Sequence, residues 1–159
     1  MRVSLPLIAA LGILFCSCGS QPKQPSAEAP KPAAETAPAI DAARHFPSEN
    51  LVDTKVVPKA LLDKPFMPGG AVGHYKKGKM EYDLFAGKMG SPLESAIVLS
   101  DWPRALTDSK FIASFGGYFG KDAGRPVFVF TKGAWIAGVA GLSEKDADTQ
   151  ARVLAARLN

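Results

Sequence analysis

Val127-Phe128-Val129-Phe130 is apolar at every position, and in an extended chain consecutive side chains point to opposite faces of a sheet. Val127 and Val129 therefore face one way, and Phe128 and Phe130 the other. Trp135-Ile136-Ala137-Gly138-Val139-Ala140 repeats the pattern a few residues later, with Trp135 and Val139 opposite Ile136. Two neighbouring strands that are apolar on both sides belong in the middle of a sheet with both faces covered. The two amphipathic helices read below are expected to cover one face. The other then needs the segment from Phe46 to Met67, a second copy of the chain, or an apolar ligand or partner. Cover from within the chain is preferred, because Phe46, Leu51-Val52, Val56-Val57, Leu61-Leu62 and Phe66 supply the apolar material without any partner.

The remaining elements follow from local signals. Gly69-Gly70 behind Pro65 and Pro68 is a turn cluster, and Ala71 to Tyr75 and Met80 to Ala86 read as a hairpin across Lys76-Lys77-Gly78-Lys79. Met80, Tyr82, Leu84 and Ala86 alternate with Glu81 and Asp83, the period of a strand with one wet face. Ser91-Pro92-Leu93-Glu94 is a capping box with proline at the first helical position, and it predicts a helix from Pro92 to about Asp101, ending where Trp102 precedes Pro103. Phe111 to Phe119 reads as one strand with a bulge at Gly116-Gly117. Ser143 caps a second helix, in which Ala147, Ala151, Leu154 and Leu158 form one stripe. Asp146 and Asp148 lie near its positive end and Arg152 and Arg157 near its negative end. The expected fold is α+β and two-layered: a mostly antiparallel sheet in the order β-β-α-β-β-β-α, with both helices on one face.

Composition divides the chain. Of 14 aromatic residues, all but Phe15 lie in residues 46–159, the part expected to fold as a single domain. Residues 18–45 hold five of the 13 prolines with balanced charge, a composition that cannot bury enough apolar surface to offset ordering. That stretch reads as a tether reaching up to about 80 Å if extended at 3.1 Å per residue. The net charge of +4 is a weak excess, with basic and acidic residues mixed throughout the domain. Nucleic-acid binding, which needs basic residues concentrated on one face, is not expected.

Residues 1–17 have the form of an export signal: Arg2, then the apolar run Val3 to Phe15, shorter than the roughly 18 residues of a spanning helix. Phe15-Cys16-Ser17-Cys18 resembles the lipobox of bacterial lipoproteins. The resemblance implies that Cys18, behind the small Ser17, is acylated with palmitate-type chains and becomes the new N-terminus, holding the protein on a membrane of the cell envelope. Gly19 after it implies passage to the outer membrane, facing the periplasm, in a cell with two membranes. With Cys18 acylated, the folded part has no thiol, which excludes cysteine nucleophiles, disulfides and thiolate metal sites there. No cofactor and no metal is expected.

The residues that carry chemistry are few. Gly116-Gly117-Tyr118-Phe119-Gly120-Lys121 has the wrong spacing for a phosphate loop and no helix behind it. With His45 assigned to the tether, His74 is the one histidine of the folded part. Glu81 and Asp83 share a strand face about 6.5 to 7 Å apart, a spacing that suits paired carboxylates and equally a solvated face. Lys76, Lys77, Lys79 and Lys88 are expected around one hairpin, either as a soluble tip or against anionic headgroups. Pro68-Gly69-Gly70, Phe115 to Gly120 and Val127 to Gly141 together resemble small domains of bacterial envelope proteins to which no activity is attached. The reading is a non-catalytic interaction module, with Phe128, Phe130, Trp135, Gly116, Gly117 and Tyr118 as its contact surface for an envelope protein or a second copy. A hydrolase-type enzyme using Glu81, Asp83 or His74, and a spacer without a partner, are the alternatives.

Overall fold

The computed structural model of the chain describes residues 41–159. Seven strands form one sheet: β1 (Leu51–Val57), β2 (Gly70–Lys77), β3 (Met80–Lys88), β4 (Thr107–Ile112), β5 (Gly117–Asp122), β6 (Arg125–Lys132) and β7 (Trp135–Ala140). Among the described residues, two helices of more than three turns accompany it, α1 (Pro92–Ala105) and α2 (Glu144–Ala155), with a short 3-10 helix at Leu61–Asp63. The spatial order is β1-β2-β3-β7-β6-β5-β4, with every neighbouring pair antiparallel. β6 and β7 are interior strands, as their two apolar faces require. The class is α+β with an antiparallel sheet.

The finer expectations need correction in four places. Leu51–Val57 is an additional edge strand rather than a covering segment alone. Phe111 to Phe119 is not one bulged strand. The chain reverses at residues 113–116, with the Phe115 and Gly116 N–H groups both donating to the Ile112 carbonyl, at 3.0 and 2.9 Å, and Gly116 at φ +72°. That left-handed residue makes the reversal a hairpin, with Ile112 paired to Gly117. α1 does not stop at Asp101 but runs through Pro103 to Ala105. Proline forfeits one backbone bond there, but Trp102 is fully buried against Phe66 and Phe85, and its burial holds the last turn in place.

The fourth correction concerns the layers, because the helices lie on opposite faces. Val98, Leu99 and Trp102 of α1 pack with Phe85, Val127, Val129 and Ile136, while Ala147, Ala151 and Leu154 of α2 pack with Leu84, Phe128, Phe130, Trp135 and Val139. Connectivity explains the split. α1 leaves β3 and must carry the chain across β7, β6 and β5 to the far edge. It occupies one face in doing so, and α2, leaving central β7, folds back over the other. The remaining cover is supplied within the chain, with Leu61 and Met67 on the α1 face and Ala42 and Phe46 on the α2 face.

The folded part also begins earlier than residue 46. Ala42 has no exposed surface. The His45 Nδ1–H donates to the Arg157 carbonyl, and its ring meets Trp135 edge-on with centroids 4.9 Å apart. Residues 41–45 therefore belong to the domain and not to the tether. Cys18 and the proposed leader before it lie outside the described residues.

Candidate functional site

Of the six residues expected to form a contact surface, three are core. Phe130 and Trp135 are buried beneath α2, and Phe128 is 1% exposed. Gly117 is buried as well, because any Cβ there would stand 2.4 Å from the Val129 carbonyl oxygen and 3.0 Å from Phe130 Cβ. Tyr118, on the α1 face, is partly buried against Phe111, and Gly116 is exposed at the β4–β5 turn. The expectation that these six make one surface is corrected: the both-sided apolar pattern that singled them out is satisfied inside the domain.

What the fold leaves open is beside them. α2 lies over β6 and β7, so the β4–β5 hairpin projects past it and a groove of about 560 Å³ forms between helix and hairpin. Its floor is the edge of Phe128 together with Ile112, one wall is Ser114, and the helical wall is Glu144, Lys145, Asp148 and Thr149. A second depression of about 280 Å³ continues along the helix past Arg152 and Ala155 to Thr131 and Lys132. Phe115 stands at the boundary. Its ring packs edge-on against Phe130 at 4.7 Å and Phe128 at 5.3 Å, under the Arg152 guanidinium 5.2 Å from its centroid. The rim charges are largely matched, Lys110 of β4 with Glu144 of α2 between the two elements, and Arg152 with both oxygens of Asp148 along α2 at 2.9 and 3.1 Å.

The titratable residues are distributed differently. His74 and Asp83 are cross-strand partners on the α1 face, with His74 Nδ1 2.8 Å from Asp83 Oδ1. Arg125 Nη1 donates to the other carboxylate oxygen at 2.7 Å. Glu81 stands apart from this chain. It is exposed and bonded to Lys76 at 2.6 Å, and that cation holds its carboxyl below the ordinary value. Sequence spacing thus brought the right two carboxylates to one face, but only Asp83 meets His74. Arg125 gave no signal, because it reaches Asp83 from the start of β6, 42 residues away in the chain.

The lysine cluster also divides. Lys76, Lys77 and Lys79 sit at or beside the β2–β3 turn, whereas Lys88 ends β3 at its far end, facing Asp41 at 3.5 Å and lying over Trp135. Among the described residues no group of three or more His, Cys, Asp or Glu is placed to hold a metal ion, and no helix is long and apolar enough to cross a membrane. Comparison with protein-family models, with curated proteins and with solved structures returns no match.

Proposed function

We propose that this protein is a lipid-anchored, non-catalytic binding module of the bacterial cell envelope, and that the groove between α2 and the β4–β5 hairpin is its contact site. Acylated Cys18 is the anchor in this reading, on the outer membrane where the cell has two, and the proline-rich residues after it let the domain work away from the bilayer. Two or more acyl chains at about 0.8 kcal/mol per buried CH₂ make such an anchor stable where one would not. The groove is the observation that carries the binding role. The domain covers both faces of its sheet from its own chain, yet leaves an apolar-floored cleft of about 560 Å³ beside Phe128, within the size range of ligand sites.

The test uses the full lipidated chain in native membranes with a photo-crosslinking amino acid in place of Ser114, an exposed wall residue. A discrete adduct with an envelope component, abolished by Thr149→Trp, which fills the groove from the exposed helix surface, is the expected result. An adduct that persists unchanged in Thr149→Trp, or none at all, overturns the groove assignment. Release of Cys18→Ser into the soluble fraction is expected, and its retention on membranes overturns the anchor.

A further inference from the structure

The sheet has two edges, β1 and β4, and they differ. In an antiparallel pair, residues whose N–H and C=O groups face the neighbouring strand alternate with residues whose groups face away. The Lys76 N–H donates to the Asn50 carbonyl, so His74, Val72 and Gly70, each two residues further along β2, also face β1. Their partners Asp53, Lys55 and Val57 spend their backbone groups on β2, which leaves those of Thr54 and Val56 directed outward. The irregularity of β1 lies at its start, between Leu51 and Asp53, and from Asp53 to Val57 the strand is regular. The loop after it turns over the α1 face, where Leu61 and Met67 are buried and a cleft remains beneath it. At β4 the ladder is broken between Thr107 and Lys110, where Asp108 takes φ 53°. Such an interruption blunts an edge against pairing.

The open edge is complementary to itself. Asp53 and Lys55 lie on the α1 face, beside His74 and Val72, and Thr54 and Val56 on the other, beside Gly73 and Ala71. With a second β1 laid antiparallel so that Thr54 meets its own copy, Asp53 of each chain falls opposite Lys55 of the other. Val56 then faces Val52, which is 60% exposed. The two Thr54 residues, both with outward backbone groups, exchange their N–H···O bonds at the axis. Asp53, Thr54 and Lys55 are exposed, and among the described residues neither Asp53 nor Lys55 has an ion-pair partner within the chain. The register is also selected against its alternatives. A slip of two residues, the smallest that keeps outward groups opposed, sets Asp53 against Asp53 in one direction and Lys55 against Lys55 in the other, and like charges directly opposite are destabilising.

We propose that β1 is a dimer edge, at which two copies of this chain pair β1 to β1 about a two-fold axis at Thr54 and join their seven-stranded sheets into one. Charge complementarity between Asp53 and Lys55 selects the second copy as the occupant and fixes its register. The contact is one strand from each copy, at the weak end of specific interfaces, so the dimer forms and dissociates reversibly. The broken β4 edge stops growth at two copies. The axis lies at the opposite edge of the sheet from the groove beside β4, and the inference does not depend on that groove's role.

The experiment is sedimentation equilibrium of the full chain in density-matched non-ionic detergent, which reads protein mass whether or not a lipid is attached. A reversible monomer–dimer equilibrium is expected at concentrations up to about 1 mM, a weak limit for specific association. Asp53→Lys puts like charges opposite each other on both sides of the axis, and Lys55→Asp does the same with the other sign. Each should weaken the dimer about tenfold or more. Mixing these two variants restores opposite charges across the axis, so the mixture should associate as tightly as the parent. Thr54→Pro is an uncharged route to the same loss. The N–H it removes points outward, a position where an edge strand tolerates proline, so the fold should stay and the dimer should go. A parent chain that stays monomeric, a dimer indifferent to Asp53→Lys and Lys55→Asp, or a mixture no tighter than either variant alone overturns the proposal.

Discussion

Replacing Phe128 by alanine separates a core residue from a contact residue. Phe128 is 1% exposed and is surrounded by Phe115, Phe130 and Phe119 on the α2 face. Truncating a buried phenylalanine costs about 3–5 kcal/mol, made up of lost transfer energy and the cavity left behind. The ring edge floors the groove, so water can enter part of the new space, and the lower end of that range, about 3 kcal/mol, is expected. With a urea slope of about 1–3 kcal/mol/M for a small domain, the unfolding midpoint falls by about 1 M or more. Trp102 and Trp135 are buried on opposite faces of the sheet, so their fluorescence reports both layers. The two layers share β6 and β7 and should melt in one transition. Leu93→Ala, at a residue 70% exposed on α1, is the control and should cost under about 0.5 kcal/mol. A Phe128→Ala midpoint within about 0.3 M of the parent, which at that slope is about 0.3–0.9 kcal/mol and under a third of the expected loss, would refute the core assignment and restore Phe128 as a surface residue.

Three further outcomes follow from local geometry. Tyr75 and Tyr82 are stacked at 5.0 Å, and burial pushes both phenols above their ordinary value of 10.0. The unfolded chain therefore loses these protons first, so stability is intact below pH about 10 and falls as pH rises above it. A urea midpoint measured from pH 8 to 11 should show the fall, and Tyr75→Phe, which also removes the 2.7 Å bond to the Pro47 carbonyl, should flatten it from a lower starting point. Gly138→Ala would place a Cβ 2.2 Å from the Phe128 carbonyl oxygen and 2.4 Å from Phe85 Cζ. It should cost about 3 kcal/mol or more by overpacking, and Phe85→Leu in the same chain should recover only part, because the backbone clash stays; full recovery in a double-mutant cycle would contradict this. Ser91→Ala removes the acceptor of the Glu94 N–H at 3.2 Å while Glu94 still accepts from Gly90 at 3.0 Å. A loss of about 1 kcal/mol in chemical denaturation is expected.

The elements whose signals are local were legible. The Ser91 and Ser143 caps start helices where the sequence places them, the β2–β3 hairpin turns at Gly78 with φ +62°, and the apolar runs of β6 and β7 lie at the middle of the sheet. β4 was not separable from β5, because Thr107–Ile112 has no apolar alternation and the reversal rests on the left-handed Gly116. His74 and Asp83 were visible as candidates, whereas of the groove beside α2 only Phe128 was, since its other lining residues carry no signal in the sequence.

Period and capping are set by residues within one turn or one strand, so the sequence by itself determined an antiparallel α+β domain with a both-sided apolar centre. It carried no information on which face each helix takes. That depended on the long crossing from β3 to β4, which occupies one side of the sheet and leaves α2 the other. Tertiary structure alone turned Phe128, Phe130 and Trp135 from surface into core and brought Arg125 to Asp83 across 42 residues. It also opened the groove beside α2 on one face and the cleft under the β1–β2 loop on the other, because neither helix nor loop is wide enough to cover seven strands.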